Sequence, residues 1–282
     1  MPRRLIFVLL ALLVLAALVP VAPLASAQTQ THAYIGFDRN QYPGDASLSA
    51  LRKHFDYTGY WLNNPPGART NTWLGKRALL REQGFGFLVL ANGRLDKEIL
   101  AAHIKPDALG RKDAAAVTAA AAREGFPKNT LLFLDQEEGG RMLPEQRAYL
   151  LAWTEAIAAA GFRPGVYASG QEVNEGNGIT ITTAQDIRTQ VTAQHLHPVA
   201  LWVYEDACPP APGCVLHTDK PLSASGTPDV IVWQYAQSPR RPEITAACAK
   251  TYAANGNCYA NDLPGMILDL NLANSPDPSG GR

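Results

Sequence analysis

The chain alternates between short apolar segments and helical segments along most of its 282 residues. Each apolar segment is too short to span a membrane and is bounded by turn-forming residues, which is typical of buried β-strands. The pattern predicts eight strands: His32–Asp38, Tyr57–Leu62, Gly86–Leu90, Leu131–Glu137, Gly165–Ala168, Val199–Tyr204, Asp229–Tyr235 and Met266–Leu270. Strands that alternate with helices pair in parallel through crossover connections. The alternation therefore predicts an α/β fold, a closed (β/α)8 barrel of the TIM type.

Helical patterns connect most of these strands, and the last third is less regular. The predicted helices are Leu48–Phe55, Trp73–Gln83, Asp107–Glu124, Pro144–Ala160 and Thr183–Gln194, the last capped by Thr182 or Thr183. Loops replace or shorten the later helices, and residues 274–282 are rich in proline, serine and glycine. We therefore predict a barrel over residues 28–273 and a disordered tail over residues 274–282.

The N-terminus has the features of a secretory signal. Two arginines precede an apolar run from Leu5 to Leu18, and Ala25-Ser26-Ala27 offers a cleavage site after Ala27. A retained membrane anchor is the alternative, because the apolar run is long for a signal core. The sequence predicts a signal peptide over residues 1–27 and a secreted or periplasmic, cell-envelope protein.

All four cysteines lie in the last third, as expected for an exported chain whose thiols become oxidised. Of the three possible connectivities, we favour two local disulfides, Cys208–Cys214 and Cys248–Cys258, because each pair brackets a polar loop. Neither spacing is a CxxC motif, so the cysteines do not indicate a metal site.

Charge and motif content exclude several classes of function. The chain has 25 basic and 25 acidic residues, so nothing indicates a nucleic-acid partner. It lacks the G-x-S-x-G motif of serine hydrolases, the H-E-x-x-H motif of zinc proteases and a glycine-rich phosphate loop. His195 and His197 have weak metal-binding spacing and are better explained as a solvated helix end. We expect no cofactor and no metal.

Acidic residues fall at the ends of the predicted strands. Asp38 ends the first strand, Asp135 and Glu137 end the fourth, and Asp269 lies near the end of the eighth. Side chains alternate across a strand, so Asp135 and Glu137 share one face. Barrel active sites lie at the carboxyl ends of the strands. The four carboxylates are therefore expected to converge on one cleft, where paired acids can serve as general acid and base or nucleophile.

Aromatic and amide residues occupy the same predicted rim. Rings suit the apolar faces of sugars and amides suit hydroxyl groups, although packing under the loops explains such rings equally well. Only one residue of each adjacent aromatic pair can face inward. The predicted substrate-binding residues are Trp61, Asn63, Tyr167, Trp202, Tyr204, Gln234, Tyr235 and Asn271.

Four short motifs in the expected strands resemble glycoside hydrolase family 25 lysozymes and, more closely, the glycoside-hydrolase-like family DUF1906. They are Gly36-Phe37-Asp38, Asp135-Gln136-Glu137, Trp233-Gln234-Tyr235 and Asp269-Leu270-Asn271. The lysozymes cut the β-1,4 bond between N-acetylmuramic acid and N-acetylglucosamine in peptidoglycan. The resemblance implies that Glu137 is the general acid and that Asp135 stabilises an oxocarbenium-like or N-acetyl-assisted intermediate. It also implies that Asp38 and Asp269 surround the scissile sugar.

The chain departs from the lysozymes at Arg39-Asn40-Gln41, which follows Asp38, and at Glu138 and Arg141, which add charge beside the acidic pair. The sequence is therefore consistent with two functions. The first is an exported glycoside hydrolase acting on peptidoglycan or a related envelope polysaccharide. The second is a catalytically inactive glycan-binding or envelope-remodelling protein on the same barrel.

Overall fold

The computed structural model of the chain describes residues 33–282, so the predicted signal peptide and the first residue of the predicted first strand lie outside it. The strands are β1 Tyr34–Asp38, β2 Tyr57–Trp61, β3 Gly86–Asn92, β4 Leu131–Asp135, β5 Arg163–Ser169, β6 Val173–Gly176, β7 Ile179–Ile181, β8 Ala200–Tyr204, β9 Val232–Ala236, β10 Cys258–Tyr259 and β11 Ile267–Ala273. The helices are α1 Leu48–Arg52, α2 Arg77–Glu82, α3 Asp96–Ala101, α4 Pro106–Arg123, α5 Pro144–Ala159, α6 Thr183–Ala193 and α7 Pro242–Thr245.

Eight of the strands form a closed barrel in the order β1-β2-β3-β4-β5-β8-β9-β11, and β11 pairs back onto β1. All eight overlap predicted strands, which confirms the predicted barrel. The sequence pattern missed the exposed β6–β7 hairpin, which lies between β5 and α6. Thr182 is the helix cap of α6, since its hydroxyl accepts from the backbone N–H of Gln185 at 3.0 Å.

The last barrel strand runs in the opposite direction to the one predicted. Strands β1 to β9 of the barrel are parallel, whereas β11 is antiparallel to both β9 and β1. A parallel neighbour requires a crossover that returns the chain to the other end of the barrel. The connection after β9 contains the four-residue helix α7, a short 3-10 helix and the two-residue strand β10, and none of these is long enough to carry the chain back to the other end, so it re-enters the sheet where it left.

The barrel interior is filled by side chains and leaves room for Asp38 at one point. The rings of Tyr167 and Trp202 lie 4.3 Å apart, and Phe133 meets Trp202 edge to face at 5.8 Å. Gly59 of β2 faces Asp38, and a Cβ at Gly59 would lie 2.7 Å from the Cβ of Asp38. A glycine is therefore required beside this carboxylate. Within residues 33–282, none of the helices combines the length and apolar character needed to cross a bilayer.

Two disulfides form, but the predicted pairing is wrong. Cys208 pairs with Cys248 and Cys214 pairs with Cys258, with Cα atoms 5.6 and 5.3 Å apart. The loop after β8 and the segment after β9 lie against each other, so each cysteine meets a partner on the other segment. Sequence spacing favours local pairs only when the two loops are independent of each other.

Removing one of these disulfides is expected to destabilise the barrel substantially. The Cys208–Cys248 bond joins residues 40 positions apart, and a closed loop of that length corresponds to about 4 kcal/mol of chain entropy. We expect Cys208→Ala with Cys248→Ala to lower the free energy of unfolding in urea by about that amount. Mass mapping of unreduced peptides checks the connectivity, and a peptide joining Cys208 to Cys214 would contradict it.

Residues 274–282 pack against the barrel, in contrast to the predicted disordered tail. Ser279 is fully buried; its N–H donates to Phe87 O and its carbonyl accepts from Leu131 N, at 2.9 and 2.8 Å. Its hydroxyl accepts from Val89 N at 2.9 Å. Composition indicated disorder, but the amino ends of β3 and β4 leave backbone groups that this segment satisfies.

Deleting Pro276–Arg282 is expected to lower the free energy of unfolding by about 3 kcal/mol. The deletion leaves the N–H groups of Phe87, Val89 and Leu131 without their partners in this segment, at about 1 kcal/mol each. Ser279→Ala removes only the bond to Val89 and should give a smaller loss. Urea unfolding followed by circular dichroism measures both, and an unchanged midpoint in the truncated protein would refute the packing role.

Candidate active site

The four acidic residues singled out from the sequence meet at the carboxyl-end mouth of the barrel. Asp38 ends β1 and Asp135 ends β4, while Glu137 follows two residues beyond Asp135. Asp269 lies near the start of β11, directly opposite Asp38 in the strand register. Asp269 reaches the mouth because it lies near the start of a strand that runs antiparallel, whereas the sequence pattern placed it near the end of a parallel strand.

Asp38 is held by two amides at the floor of the mouth. Its Oδ2 accepts from Gln234 Nε2 at 2.9 Å and from Asn271 Nδ2 at 2.7 Å. Tyr167 donates to Gln234 Oε1 at 2.7 Å, and Trp202 Nε1 donates to Asn271 Oδ1 at 2.9 Å. These bonds orient both amides with their N–H groups toward Asp38. Burial raises the pKa of Asp38 to about 6, although both amide hydrogen bonds act to lower it.

Asp135 is the most isolated of the four acids. It is 7 % exposed, and its Oδ1 is buried without a hydrogen-bond partner in the described part of the chain. Burial raises its pKa well above the usual range, and repulsion from Glu137 and Asp38 raises it further. A ligand that brings a positive charge or a hydrogen-bond donor to this buried carboxyl would stabilise its ionised form strongly.

Glu137 and Asp269 complete the set. Glu137 is exposed at the mouth, yet its carboxyl is partly desolvated by the surrounding walls, which raises its pKa. Its backbone carbonyl accepts from Tyr204 Oη at 3.3 Å. Asp269 Oδ1 accepts from Ser238 N at 2.5 Å. Burial raises the pKa of Asp269 well above its usual range, with added repulsion from Asp38.

Most of the predicted substrate-binding residues support the site from below rather than line an open surface. Tyr167, Trp202, Gln234 and Asn271 are buried and hydrogen-bonded among themselves beneath Asp38. Tyr204 is also buried and positions the backbone of Glu137. The rings of this floor therefore serve mainly to orient the acids.

The three remaining predicted binding residues lie at the periphery or away from the site. Trp61 is buried and donates from Nε1 to Arg39 O at 3.1 Å. Asn63 joins the ends of β2 and β3 by exchanging hydrogen bonds with the backbone of Asn92. Tyr235 is fully buried and donates to Val215 O at 3.0 Å. Because its neighbour Gln234 points into the barrel, Tyr235 points outward and is not part of the mouth.

The extra charges beside the acidic pair are directed away from it. Glu138 Oε2 accepts from Asp96 N at 2.9 Å and contacts Gln146 Nε2. Arg141 forms a bidentate ion pair with Glu175 of the β6–β7 hairpin, with both distances 2.7 Å. Glu138 and Arg141 therefore hold loops in place. Arg39 does face the site, because its guanidinium interacts with Asp269.

Sequence reasoning missed a second polar cluster, which follows β8. The side chain of Asp206 is completely buried and accepts from Arg241 Nη2 and Gln171 Nε2, each at 2.7 Å. The guanidinium of Arg241 lies over the Tyr204 ring, 5.2 Å from its centroid. Asp206 was detectable because it follows a barrel strand as the other acids do. Arg241 lies in the irregular segment after β9, where no periodicity indicates its position.

Within residues 33–282, no group of three His, Cys, Asp or Glu side chains is arranged to hold a metal ion. His197 Nδ1 lies 2.8 Å from Glu155 Oε2 of helix α5, and neither residue belongs to the acidic mouth. The site consists of carboxyl groups with raised pKa values, an arrangement suited to general acid catalysis.

Solved structures share this architecture at low sequence identity. An uncharacterized protein from B. stearothermophilus matches with 21% identity and a TM-score of 0.55, covering 85% of this chain and 95% of that one. The Tat-secreted protein Rv2525c of Mycobacterium tuberculosis, in complex with L-tartrate, matches with 12% identity and a TM-score of 0.49, covering 86% and 95%. A bacterial lysozyme from Streptomyces coelicolor matches with 13% identity and a TM-score of 0.47, covering 87% and 94%.

The family comparison is more specific than these structural likenesses. No curated protein matches the chain. The model of the Rv2525c-like, glycoside hydrolase-like domain matches residues 69–212, which is half of the chain and includes Asp135, Glu137 and Asp206. With the barrel and its acidic mouth, this match confirms the resemblance to the glycoside-hydrolase-like family DUF1906. The chain belongs to the Rv2525c-like, glycoside hydrolase-like domain family.

Proposed function

We propose that this protein is an exported glycoside hydrolase that acts on peptidoglycan or a related envelope glycan. The observation that carries the proposal is the convergence of Asp38, Asp135, Glu137 and Asp269 at one barrel mouth. Burial raises the pKa of all four carboxyls, and repulsion from neighbouring acids raises the pKa of Asp135 and Asp269 further. Glycosidases need one carboxyl that keeps its proton and a second that stabilises positive charge at the sugar.

Glu137 is the proposed general acid. It is the exposed member of the set, so a glycosidic oxygen can reach it, and its raised pKa keeps a proton available for the leaving group. Its backbone is held by Tyr204, which limits the positions that its carboxyl can take.

Asp135 is the proposed assisting residue. Its buried Oδ1 has no protein partner within residues 33–282 and lies beside Glu137. An oxocarbenium-like sugar or an N-acetyl group at this position would supply the missing partner. Asp38 and Asp269 would close the other side of the scissile sugar, and the amides of Gln234 and Asn271 hold Asp38 in place.

Export is proposed from two features. The sequence of residues 1–27 has the organisation of a secretory signal, and both disulfides need an oxidising compartment to form. The substrate would accordingly be an extracytoplasmic polysaccharide.

Release of reducing ends from purified peptidoglycan and from N-acetylated oligosaccharides tests the proposal. The protein should release them, and the Glu137→Gln variant should not. Equal release by the two proteins would refute the assignment of Glu137, and no release by the unsubstituted protein under any condition would refute the hydrolase.

Binding without turnover is a second candidate, favoured by the small size of the depression at the acidic pair. The depression that Asp135 and Glu137 line has a volume of about 110 Å³, below the range of about 300–1,000 Å³ usual for enclosed ligand sites. This function predicts saturable glycan binding with no reducing ends released. Hydrolysis that depends on Asp135 or Glu137 would exclude it.

A further inference from the structure

Glu137 lies beyond the end of β4, where the barrel sheet no longer fixes the backbone. β4 ends at Asp135, and the next residue, Gln136, still donates from its N–H to Tyr167 O at 3.0 Å. Among residues 33–282, the backbone of Glu137 makes a single hydrogen bond, in which its carbonyl accepts from Tyr204 Oη at 3.3 Å. The position of Glu137 therefore depends on where the Tyr204 ring is held.

Two side chains pack against the buried Tyr204 ring. The guanidinium carbon of Arg241 lies 5.2 Å from the ring centroid, and the centroid of the Tyr167 ring lies 5.4 Å away. A guanidinium is attracted to an aromatic face, and its planar shape suits stacking. Burial raises the pKa of Tyr204, while a hydrogen bond from Ser169 and the charge of Arg241 act to lower it. Arg241 therefore acts directly on the ring that holds Glu137.

Asp206 fixes the guanidinium of Arg241 in this place. The Asp206 side chain is completely buried, and its Oδ1 accepts from Arg241 Nη2 and from Gln171 Nε2, each at 2.7 Å. The backbone of Arg241 is fixed as well, because its carbonyl accepts from Thr245 N at 2.8 Å at the start of α7. The arginine is thus held at both ends of its side chain.

The Asp206–Arg241 pair is poorly suited to a purely stabilising role. Asp206 Oδ2 and Arg241 Nε are buried and have no hydrogen-bond partner in the described part of the chain. Burial of two charges costs free energy that an ion pair offsets only when its remaining polar atoms are also hydrogen-bonded. The Cys208–Cys248 disulfide already joins the same two segments. The contact of the pair with Tyr204 is the effect that this disulfide does not supply.

We propose that Asp206 and Arg241 are positioning residues for Glu137 and act on it through Tyr204. Asp206 holds the guanidinium against the Tyr204 ring, and the hydroxyl of the ring holds the carbonyl of Glu137. The inference rests on the proposed function, because Glu137 is the general acid of that reaction. A general acid that is displaced from its substrate oxygen transfers its proton more slowly, even when the substrate is bound as before.

The test removes the ion pair as a unit. Asp206→Asn together with Arg241→Met, named the pair variant, removes both charges and leaves side chains of similar length. No unpaired charge is left buried, so the barrel should fold. Tyr204→Phe removes only the hydroxyl that Glu137 accepts from. Glu175→Gln is the matched control, because it breaks an ion pair that braces the β6–β7 hairpin instead of the Tyr204 ring.

Hydrolysis of N-acetylated oligosaccharides provides the first measurement. We expect the pair variant and Tyr204→Phe each to lower kcat about five- to tenfold and to leave KM within about twofold, because only the general acid is displaced. Combining all three substitutions should lower kcat no further than Tyr204→Phe alone, since the pair acts through that hydroxyl. Arg241→Lys keeps a cation for Asp206 and for the ring, so its kcat should stay within about threefold of the original. Glu175→Gln should leave kcat unchanged.

Hydrogen exchange of the substrate-free protein provides a second measurement that needs no turnover. Peptides covering residues 136–140 should exchange about five- to tenfold faster in the pair variant and in Tyr204→Phe than in the original protein. Peptides covering β4 should exchange at the original rate in both, because the strand ladder does not depend on Tyr204. Glu175→Gln should leave both regions unchanged.

The outcomes separate this inference from the proposed function. Losses in kcat that multiply when the pair variant and Tyr204→Phe are combined would overturn the positioning role and leave the hydrolase intact. Unchanged exchange of residues 136–140 in both variants would overturn the positioning role, whether or not the protein hydrolyses glycans. Faster exchange in both variants of a protein that hydrolyses no glycan would support the positioning of Glu137 and refute the hydrolase.

Discussion

Replacing Glu137 by glutamine is expected to lower the rate of glycan hydrolysis by about 10²–10⁴-fold, the usual contribution of a general acid. Glutamine has nearly the same shape as glutamate but cannot deliver a proton to the glycosidic oxygen. Because the carbonyl that accepts from Tyr204 belongs to the backbone, the substitution should leave the position of the loop unchanged. The loss should appear in kcat, with the affinity for the glycan largely retained.

Glu138→Gln is the matched control for this substitution. It makes the same chemical change one residue away, on a side chain that accepts from Asp96 N and contacts Gln146 instead of facing the mouth. Its rate should remain within a few-fold of the original. A Glu138→Gln variant that is as impaired as Glu137→Gln would show that the loss comes from disturbance of the loop.

Asp135→Asn tests the assisting role proposed for this carboxyl. The substitution keeps the shape of the side chain and removes the negative charge that the transition state would recruit. We expect a loss in kcat comparable to that of Glu137→Gln, with unfolding free energy unchanged or increased, because the buried carboxyl is destabilised by its surroundings. Full activity of Asp135→Asn would remove it from the mechanism.

The free energy of unfolding is expected to fall as the pH rises from about 4 to about 7. Burial raises the pKa of Asp38 from 3.8 to about 6, so the folded protein holds a proton over a range in which the unfolded chain has lost it. Stability from such a group is fully present below pH 3.8 and is lost as the pH passes the folded value. A shift of this size corresponds to about 3 kcal/mol at 1.36 kcal/mol per unit.

Burial also raises the pKa of Asp135 and of Asp269 well above the usual range. Both carboxyls therefore add to the fall in unfolding free energy as the pH rises. Urea unfolding at pH 4 and at pH 7 measures the effect. Asp38→Asn is the diagnostic variant, because asparagine can still accept from Gln234 and Asn271 but does not titrate. It should lose less stability than the original protein over the same range. An identical pH dependence in the two proteins would show that the carboxyl of Asp38 is not buried as described.

Patterns over a few residues of sequence were enough to predict that Asp135 and Glu137 lie together. Asp135 and Glu137 were assigned to one face because strand side chains alternate, and to the barrel mouth because they follow a buried run. Both residues line the same depression. Thr182 or Thr183 was predicted as the cap of α6, and Thr182 is the cap, since its hydroxyl accepts from Gln185 N.

Aromatic residues showed the limit of that reasoning. Trp202 and Tyr204 were predicted to be sugar-binding rings at the rim, but whether such a ring is exposed to a sugar or buried beneath a loop depends on the loops above it. In this fold both are buried. Tyr235 was assigned to the mouth, whereas the inward direction of Gln234 sends Tyr235 outward to Val215.

By itself, the sequence determined the number of barrel strands, the acidic character of the mouth and the adjacency of Asp135 and Glu137. Each of these follows from periodicity and spacing over a few residues. The tertiary structure alone decided the antiparallel direction of β11, the crossed disulfides and the packing of residues 274–282. These features depend on contacts between segments far apart in the chain, and local propensity carries no information about which distant surface a loop or a cysteine will meet.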